Sequence, residues 1–98
     1  MEVVFADSKL DRLETDAAYT AGLPAPIVSK YRQRMQQIRA AEDERDLRNS
    51  KSLHFEKLQG NRSHQHSIRL NKQWRLILEL RGDGTSKVVA IVSVEDYH

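Results

Sequence analysis

Residues 65–80 constrain the fold more than any other stretch of the chain. They read His66-Ser67-Ile68-Arg69-Leu70, then Asn71-Lys72-Gln73, then Trp74-Arg75-Leu76-Ile77-Leu78. Apolar residues recur at every second position on both sides of a polar turn, the period of paired strands with one buried face. A three-residue turn sets Leu70 opposite Trp74, Ile68 opposite Leu76 and His66 opposite Leu78, and one face becomes apolar. A two-residue turn puts Ile68 and Arg75 on the same face and spoils the core. The three-residue register is therefore expected, although it sets Arg69 directly opposite Arg75. Like charges so paired destabilise a sheet. Two arginines that disfavour each other are suited to binding phosphate together, on a basic face turned away from the core. The expected core includes Leu70, Trp74, Leu76, Leu78 and Ile38, with Arg69 and Arg75 exposed on the far side. Trp74 reads as a core residue and His66 as a structural one.

Strands are expected at 53–58, 65–70, 74–80 and 87–97, separated by Gly60-Asn61, the Asn71-Lys72 turn and Gly82-Asp83-Gly84. The first half has a different period. Val3-Val4-Phe5 reads as a short strand, and Asp7 or Ser8 caps a helix bearing Leu10, Leu13 and Ala17 that ends at Gly22. Pro24 and Pro26 open a second helix with Ile27, Tyr31, Met35 and Ile38 as its buried stripe. Lys30, Arg32, Arg34 and Arg39 are assigned mostly to its outer faces, as a solvated surface or as contacts to ribosomal RNA. A short turn or helix follows the acidic cluster Glu42-Asp43-Glu44 and ends at Leu47. Helices followed by a strand meander predict one α+β domain over 1–98, with two N-terminal helices packed on one face of a mainly antiparallel twisted sheet.

The chain has 98 residues, no cysteine and a net charge of +2. Cysteine chemistry is excluded, and no zinc pattern emerges from His64 and His66. No signal peptide or membrane span is expected, which points to a cytoplasmic protein. Residues 1–49 balance at −1 and residues 50–98 at +3. The excess lies in 51–75, where Lys51, Lys57, Arg62, Arg69, Lys72 and Arg75 face a single acid, Glu56. Such a cluster is the footprint of a phosphate-bearing partner or a plain solvated face.

The run Val88-Val89-Ala90-Ile91-Val92-Ser93-Val94 leads into Asp96-Tyr97-His98. Strand alternation puts Asp96 and His98 on one face and Tyr97 on the other. A carboxylate beside a histidine orients the ring and raises its pKa, which suits proton transfer near neutral pH.

Three segments together carry a family resemblance: Leu58-Gln59-Gly60-Asn61-Arg62, then Gln65-His66-Ser67-Ile68-Arg69-Leu70-Asn71-Lys72-Gln73-Trp74-Arg75, and Val94-Glu95-Asp96-Tyr97-His98. The chain resembles the HigB toxins of the RelE/ParE superfamily. The resemblance implies a microbial RNase fold and a type II toxin that cleaves mRNA on the translating ribosome. It implies no metal and no cofactor. It further implies a HigA-like helix-turn-helix antitoxin as partner, with operator DNA reached only through that antitoxin. Gln59 stands where the family commonly has lysine, and Lys57, two residues upstream, is the expected substitute. Glu56 stands where some members have histidine, which makes His54 a candidate by proximity.

RNA supplies its own 2′-hydroxyl nucleophile. Cleavage then needs a base, an acid for the 5′-oxygen and charge stabilisation at phosphorus. His98 is assigned as the acid, and Asp96 orients it or acts as the base. Arg75 and Lys57 stabilise the added charge, supported by Arg69. Tyr97 stacks on a base or donates to phosphate. Arg62 and Lys72 are expected RNA contacts. Two alternatives remain: a non-enzymatic toxin that acts by binding, as ParE-type relatives act on gyrase, and a co-repressor that tunes its antitoxin.

Overall fold

The central hairpin forms in the three-residue register, and its turn shows why. The Asn71 side-chain oxygen accepts from the backbone N–H groups of Gln73 and Trp74, both at 2.8 Å. This Asx-type arrangement closes the turn without a glycine. Leu70 N–H then bonds Trp74 O at 2.9 Å, and Ile68 pairs with Leu76, His66 with Leu78 and Arg69 with Arg75.

The computed structural model describes residues 1–82 and 87–97. Asp83 and Gly84 of the expected Gly82-Asp83-Gly84 turn, and His98, lie outside the described residues. The order is β1 (Glu2–Phe5), α1 (Ser8–Thr15), α2 (Ala25–Ala40), α3 (Glu44–Asn49), β2 (Glu56–Lys57), β3 (His66–Arg69), β4 (Trp74–Arg81) and β5 (Val88–Asp96). Turns of 3₁₀ helix span Lys51–Leu53 and Gly60–Arg62. The sheet order is β1-β5-β4-β3-β2, antiparallel except where β1 runs beside β5. The α+β expectation holds, with α3 as a third helix. The strand expected at 53–58 shrinks to Glu56–Lys57, because 3₁₀ turns occupy the chain before it and shortly after it.

Asp7 caps α1 by accepting from Lys9 N–H at 2.8 Å. The helix stops at Thr15, well before Gly22, and the reason lies on α2. Arg32 donates Nε to Leu13 O and Nη2 to Asp16 O and Tyr19 O, each at 3.0 Å. These contacts occupy carbonyls at the helix end that would otherwise need further turns or water. Ala17 is consequently exposed outside the helix. Along α2, Ile27, Tyr31, Met35 and Ile38 are buried as their spacing predicts. Tyr31 also donates its hydroxyl to Leu10 O at 2.8 Å, locking α1 to α2. These residues join Leu13, Leu47, Ile68, Leu76, Leu78 and Ile91 in one core between the helices and the sheet. Trp74 is only half-buried at its rim.

His66 is buried in that core as expected, and its surroundings fix its protonation. It stacks on Phe55 with ring centroids 4.7 Å apart and planes 5° from parallel. Neither ring nitrogen has a hydrogen-bond partner among the described residues. Burial lowers its pKa, Arg48, Lys57 and Lys87 add to the effect, and Glu44 opposes it. The depressed folded pKa means that the neutral ring's stabilising contribution is complete above the unfolded value of about 6.5. It is lost as pH falls below that value, with a limiting slope of about 1.4 kcal/mol per pH unit. Urea midpoints should therefore fall between about pH 6.5 and 5 for the natural chain and stay nearly flat for His66→Leu. Equal slopes for both proteins would show that His66 does not carry the effect.

Candidate functional site

One end of the sheet gathers most of the chemistry-bearing residues. The β3–β4 turn presents Lys72 there, and Tyr97 N–H bonds Gln73 O at 2.6 Å, which anchors the end of β5 beside that turn. Arg69 and Arg75 stand opposite each other on the face away from the helices. Both are half-buried rather than exposed, since their stems lie on the sheet. Arg69 donates Nε to Asn71 O at 3.2 Å, and its Nη1 lies 3.3 Å from His54 Nε2. A guanidinium only donates, so His54 Nε2 is the acceptor in this contact. His54 follows the buried Leu53 at the end of a 3₁₀ turn, in the left-handed region at φ 47°. Arg75 Nη1 is buried with no hydrogen-bond partner among the described residues. It is a desolvated cationic donor on the sheet face away from the helices, an arrangement suited to binding an anion.

A β-bulge decides which neighbours these arginines have. On β5, Ile91 pairs with Leu78 and Ser93 with Ile77, which leaves Val92 as an extra residue. Unbroken alternation from the buried Val89 and Ile91 would carry Asp96 to the arginine face. The extra residue reverses the phase. Glu95 therefore stands in register with Arg75, while Asp96 pairs with Trp74 on the helix side. Tyr97 follows Glu95 in phase and lies near Arg62, whose pKa is raised chiefly by Glu95 and secondarily by Tyr97. Two placements expected from sequence are corrected: Tyr97, not Asp96, shares the face of Arg75. Asp96 is exposed and engaged in the structure.

Two further expectations change. Lys57 pairs with His66, so it belongs to the helix side of the edge strand and not beside Arg75. A two-residue strand between 3₁₀ turns does not carry forward the phase that would have put it there. Arg62 is committed to Glu95 at 3.1 and 2.7 Å and to Gln65 Oε1 at 3.0 Å. Ser93 Oγ completes this network by donating to Glu95 Oε2 at 2.8 Å, and Gln65 Nε2 donates to Glu79 Oε2 at 3.1 Å. Arg62, by hydrogen bonding, holds the Glu95 carboxyl below its usual range. The open face is thus of mixed charge in its middle and basic only at the turn end.

Sequence reasoning missed Arg34. It was assigned outward but is buried, with 7% exposure. It donates Nε to Arg69 O at 3.0 Å, Nη2 to Ser52 O at 3.1 Å and Nη1 to Gln37 Oε1 at 2.9 Å. It therefore ties α2 to the strand bearing Arg69 and to the turn bearing His54. The signal was present, because position 34 lies on the same helical stripe as 27, 31 and 38. Among the described residues, no group of three or more His, Cys, Asp or Glu side chains is placed to hold a metal. No helix among them is long and apolar enough to cross a membrane.

Three helices accompany this five-stranded sheet, and cations gather at the β3–β4 turn, an α+β arrangement shared with solved toxin structures. The whole chain superposes on a YoeB/ParE toxin from Agrobacterium tumefaciens over all of that chain, with TM-score 0.59 and 18% identity. Over 97% of its length it matches YafQ from E. coli strain BL21(DE3), covering 91% of that chain, with TM-score 0.60 and 14% identity. The YoeB-YefM complex from Staphylococcus aureus matches over all of this chain and 97% of that one, with TM-score 0.56 and 19% identity. The family model of the RelE-like toxin of the type II toxin-antitoxin system HigB matches residues 3–98. Toxin HigB-1 of Vibrio cholerae serotype O1 is 34% identical over 79 residues, which span 81% of this chain and 83% of that protein. The chain belongs to the HigB-like toxin family.

Proposed function

We propose that this toxin is an mRNA endoribonuclease acting on the translating ribosome, with the turn end of the open sheet face as its phosphate site. The observation that carries this reading is the arginine pair: Arg75 faces Arg69 across the hairpin, and its buried Nη1 has no partner among the described residues. A pentavalent phosphorane gains negative charge, and donors already fixed and desolvated stabilise it most strongly. Arg75 supplies that stabilisation. Arg69 turns from His54 Nε2 to the phosphate, which frees the imidazole as a base for the 2′-hydroxyl. His98 protonates the leaving 5′-oxygen, and the Asp96 carboxylate, two residues earlier, favours its imidazolium. Tyr97, on the arginine face, donates to a phosphate oxygen or stacks on a base. This chemistry requires no metal.

The partner in the cell is an antitoxin with a helix-turn-helix domain, through which operator DNA is bound, and the toxin acts in the cytoplasm. The Staphylococcus aureus relative is seen in complex with YefM, which supports an antitoxin partner here. Mapping mRNA 5′ ends after induction tests the activity. New ends inside translated frames are expected with the natural chain and are expected to disappear with Arg75→Gln. Growth arrest without new ends would favour a toxin that acts by binding.

A further inference from the structure

We propose that a cavity between α2 and the β3–β4 turn is a second phosphate subsite, which takes the RNA backbone next to the cleaved linkage. This rests on the ribonuclease reading above and extends it to a surface beside the reacting centre, with which it shares His54 and Arg69. The cavity is a shallow depression of about 500 Å³, open to solvent, and Lys30, Arg34, His54, Arg69, Asn71 and Lys72 line it. None of its lining residues is acidic. Other cations of the protein, among them Arg12, Arg39, Arg48 and Arg62, pair with carboxylates. No ion pair of the described residues involves Lys30, Arg34, Arg69 or Lys72.

Arg34 makes this more than a solvated basic patch. Its hydrogen bonds are met by two backbone carbonyls and the Gln37 amide, all neutral. These dipoles take three of its five N–H donors and leave its charge uncompensated beneath the cavity, where burial lowers its pKa. A buried cation without a counterion is costly, and an anion in the cavity offsets that cost. Lys30 stands one helical turn before Arg34 on the same side of α2, and Lys72 closes the cavity from the turn.

The neighbouring geometry selects a polynucleotide. Arg69 lines the cavity and also stands directly opposite Arg75. Two anion positions thus lie a short step apart, joined by one residue, as successive charges lie along an RNA strand. The lining contains no Phe, Tyr or Trp on which a base could stack. The subsite therefore grips the backbone and adds affinity without sequence preference.

The test uses the whole toxin and two labelled eight-nucleotide RNAs of different sequence, 2′-O-methylated to block cleavage, titrated by fluorescence anisotropy at several salt concentrations. Lys30→Gln combined with Lys72→Gln should weaken both RNAs on the order of tenfold, the scale of a lost charge-assisted hydrogen bond. The slope of log affinity against log salt should become shallower by about 0.7 for each phosphate contact removed. An unchanged slope, a loss confined to one sequence, or no binding of either RNA by the natural chain would overturn the proposal. So would intact RNA binding with weakened antitoxin binding, since the cavity would then receive acidic protein side chains. Ribosomal mRNA cleavage measured in parallel separates the two readings. Cleavage by the natural chain with unaltered RNA binding by the double variant removes only the subsite. RNA binding lost in the variant, without cleavage by the natural chain, removes only the ribonuclease.

Discussion

His98→Ala is expected to lower mRNA cleavage on translating ribosomes by at least about a hundredfold while leaving circular dichroism unchanged. Expulsion of a 5′-alkoxide is slow without a proton donor, and a positioned general acid contributes roughly 10²–10⁴-fold. Imidazole is the side chain whose ordinary pKa lets it both hold and release that proton near neutrality. The chain leading to His98 is anchored, because Tyr97 N–H bonds Gln73 O at the turn end of the sheet. Asp96→Asn should give a smaller loss and move the alkaline limb of the pH–rate profile to lower pH, since a neutral amide no longer favours the imidazolium that must donate the proton. Full cleavage by His98→Ala would assign the Asp96-Tyr97-His98 segment a structural role and leave His54 as the histidine to test.

Arg75→Gln is expected to lose about 10²–10³-fold in cleavage, the scale of removing one transition-state donor. Its effect on folding should be small and of opposite sign. The buried Nη1 gives up no hydrogen bond seen among the described residues, and Arg69 loses a like charge directly opposite it. Relief of such a pair is worth up to about 1 kcal/mol. The urea midpoint should therefore hold or rise as activity falls. Arg75→Lys should not restore cleavage, because an ammonium lacks the planar fork that grips two phosphate oxygens. Retained cleavage in Arg75→Gln, or a folding loss as large as the activity loss, would remove Arg75 from the reacting centre.

The hairpin register, the α2 stripe and the family were legible because each rests on short-range pattern. Alternation on either side of Asn71-Lys72-Gln73 admits one register with a clean apolar face, and that register forms. Ile27, Tyr31, Met35 and Ile38 repeat at helical spacing and are buried as written. The segment from Leu58 to Arg75, together with Asp96-Tyr97-His98, carried the HigB resemblance, and the family match spans residues 3–98. Arg69, Arg75, Lys72, His54 and Tyr97 were all named as site residues, and they meet at one end of the sheet.

The faces those residues share were decided by tertiary structure. Period-two reasoning propagates any single insertion to every residue after it. The bulge at Val92 is such an insertion, and no composition signal marks it in an apolar run. It exchanges Asp96 for Glu95 and Tyr97 beside Arg75. Lys57 changed sides for a similar reason, since only two residues of its strand pair with β3. Arg62 left the free cations because Glu95, distant in sequence, lies within 2.7 Å. Arg34 went inward because three acceptors from Gln37, Ser52 and Arg69 converge on its guanidinium. The sequence by itself determined the order of the main elements, the register of the β3–β4 hairpin and the residue types of the candidate site, because these follow from spacing along the chain. Which cations are paired with a carboxylate and which are not depends on partners 18 to 35 residues away, and only the packed structure brings those together.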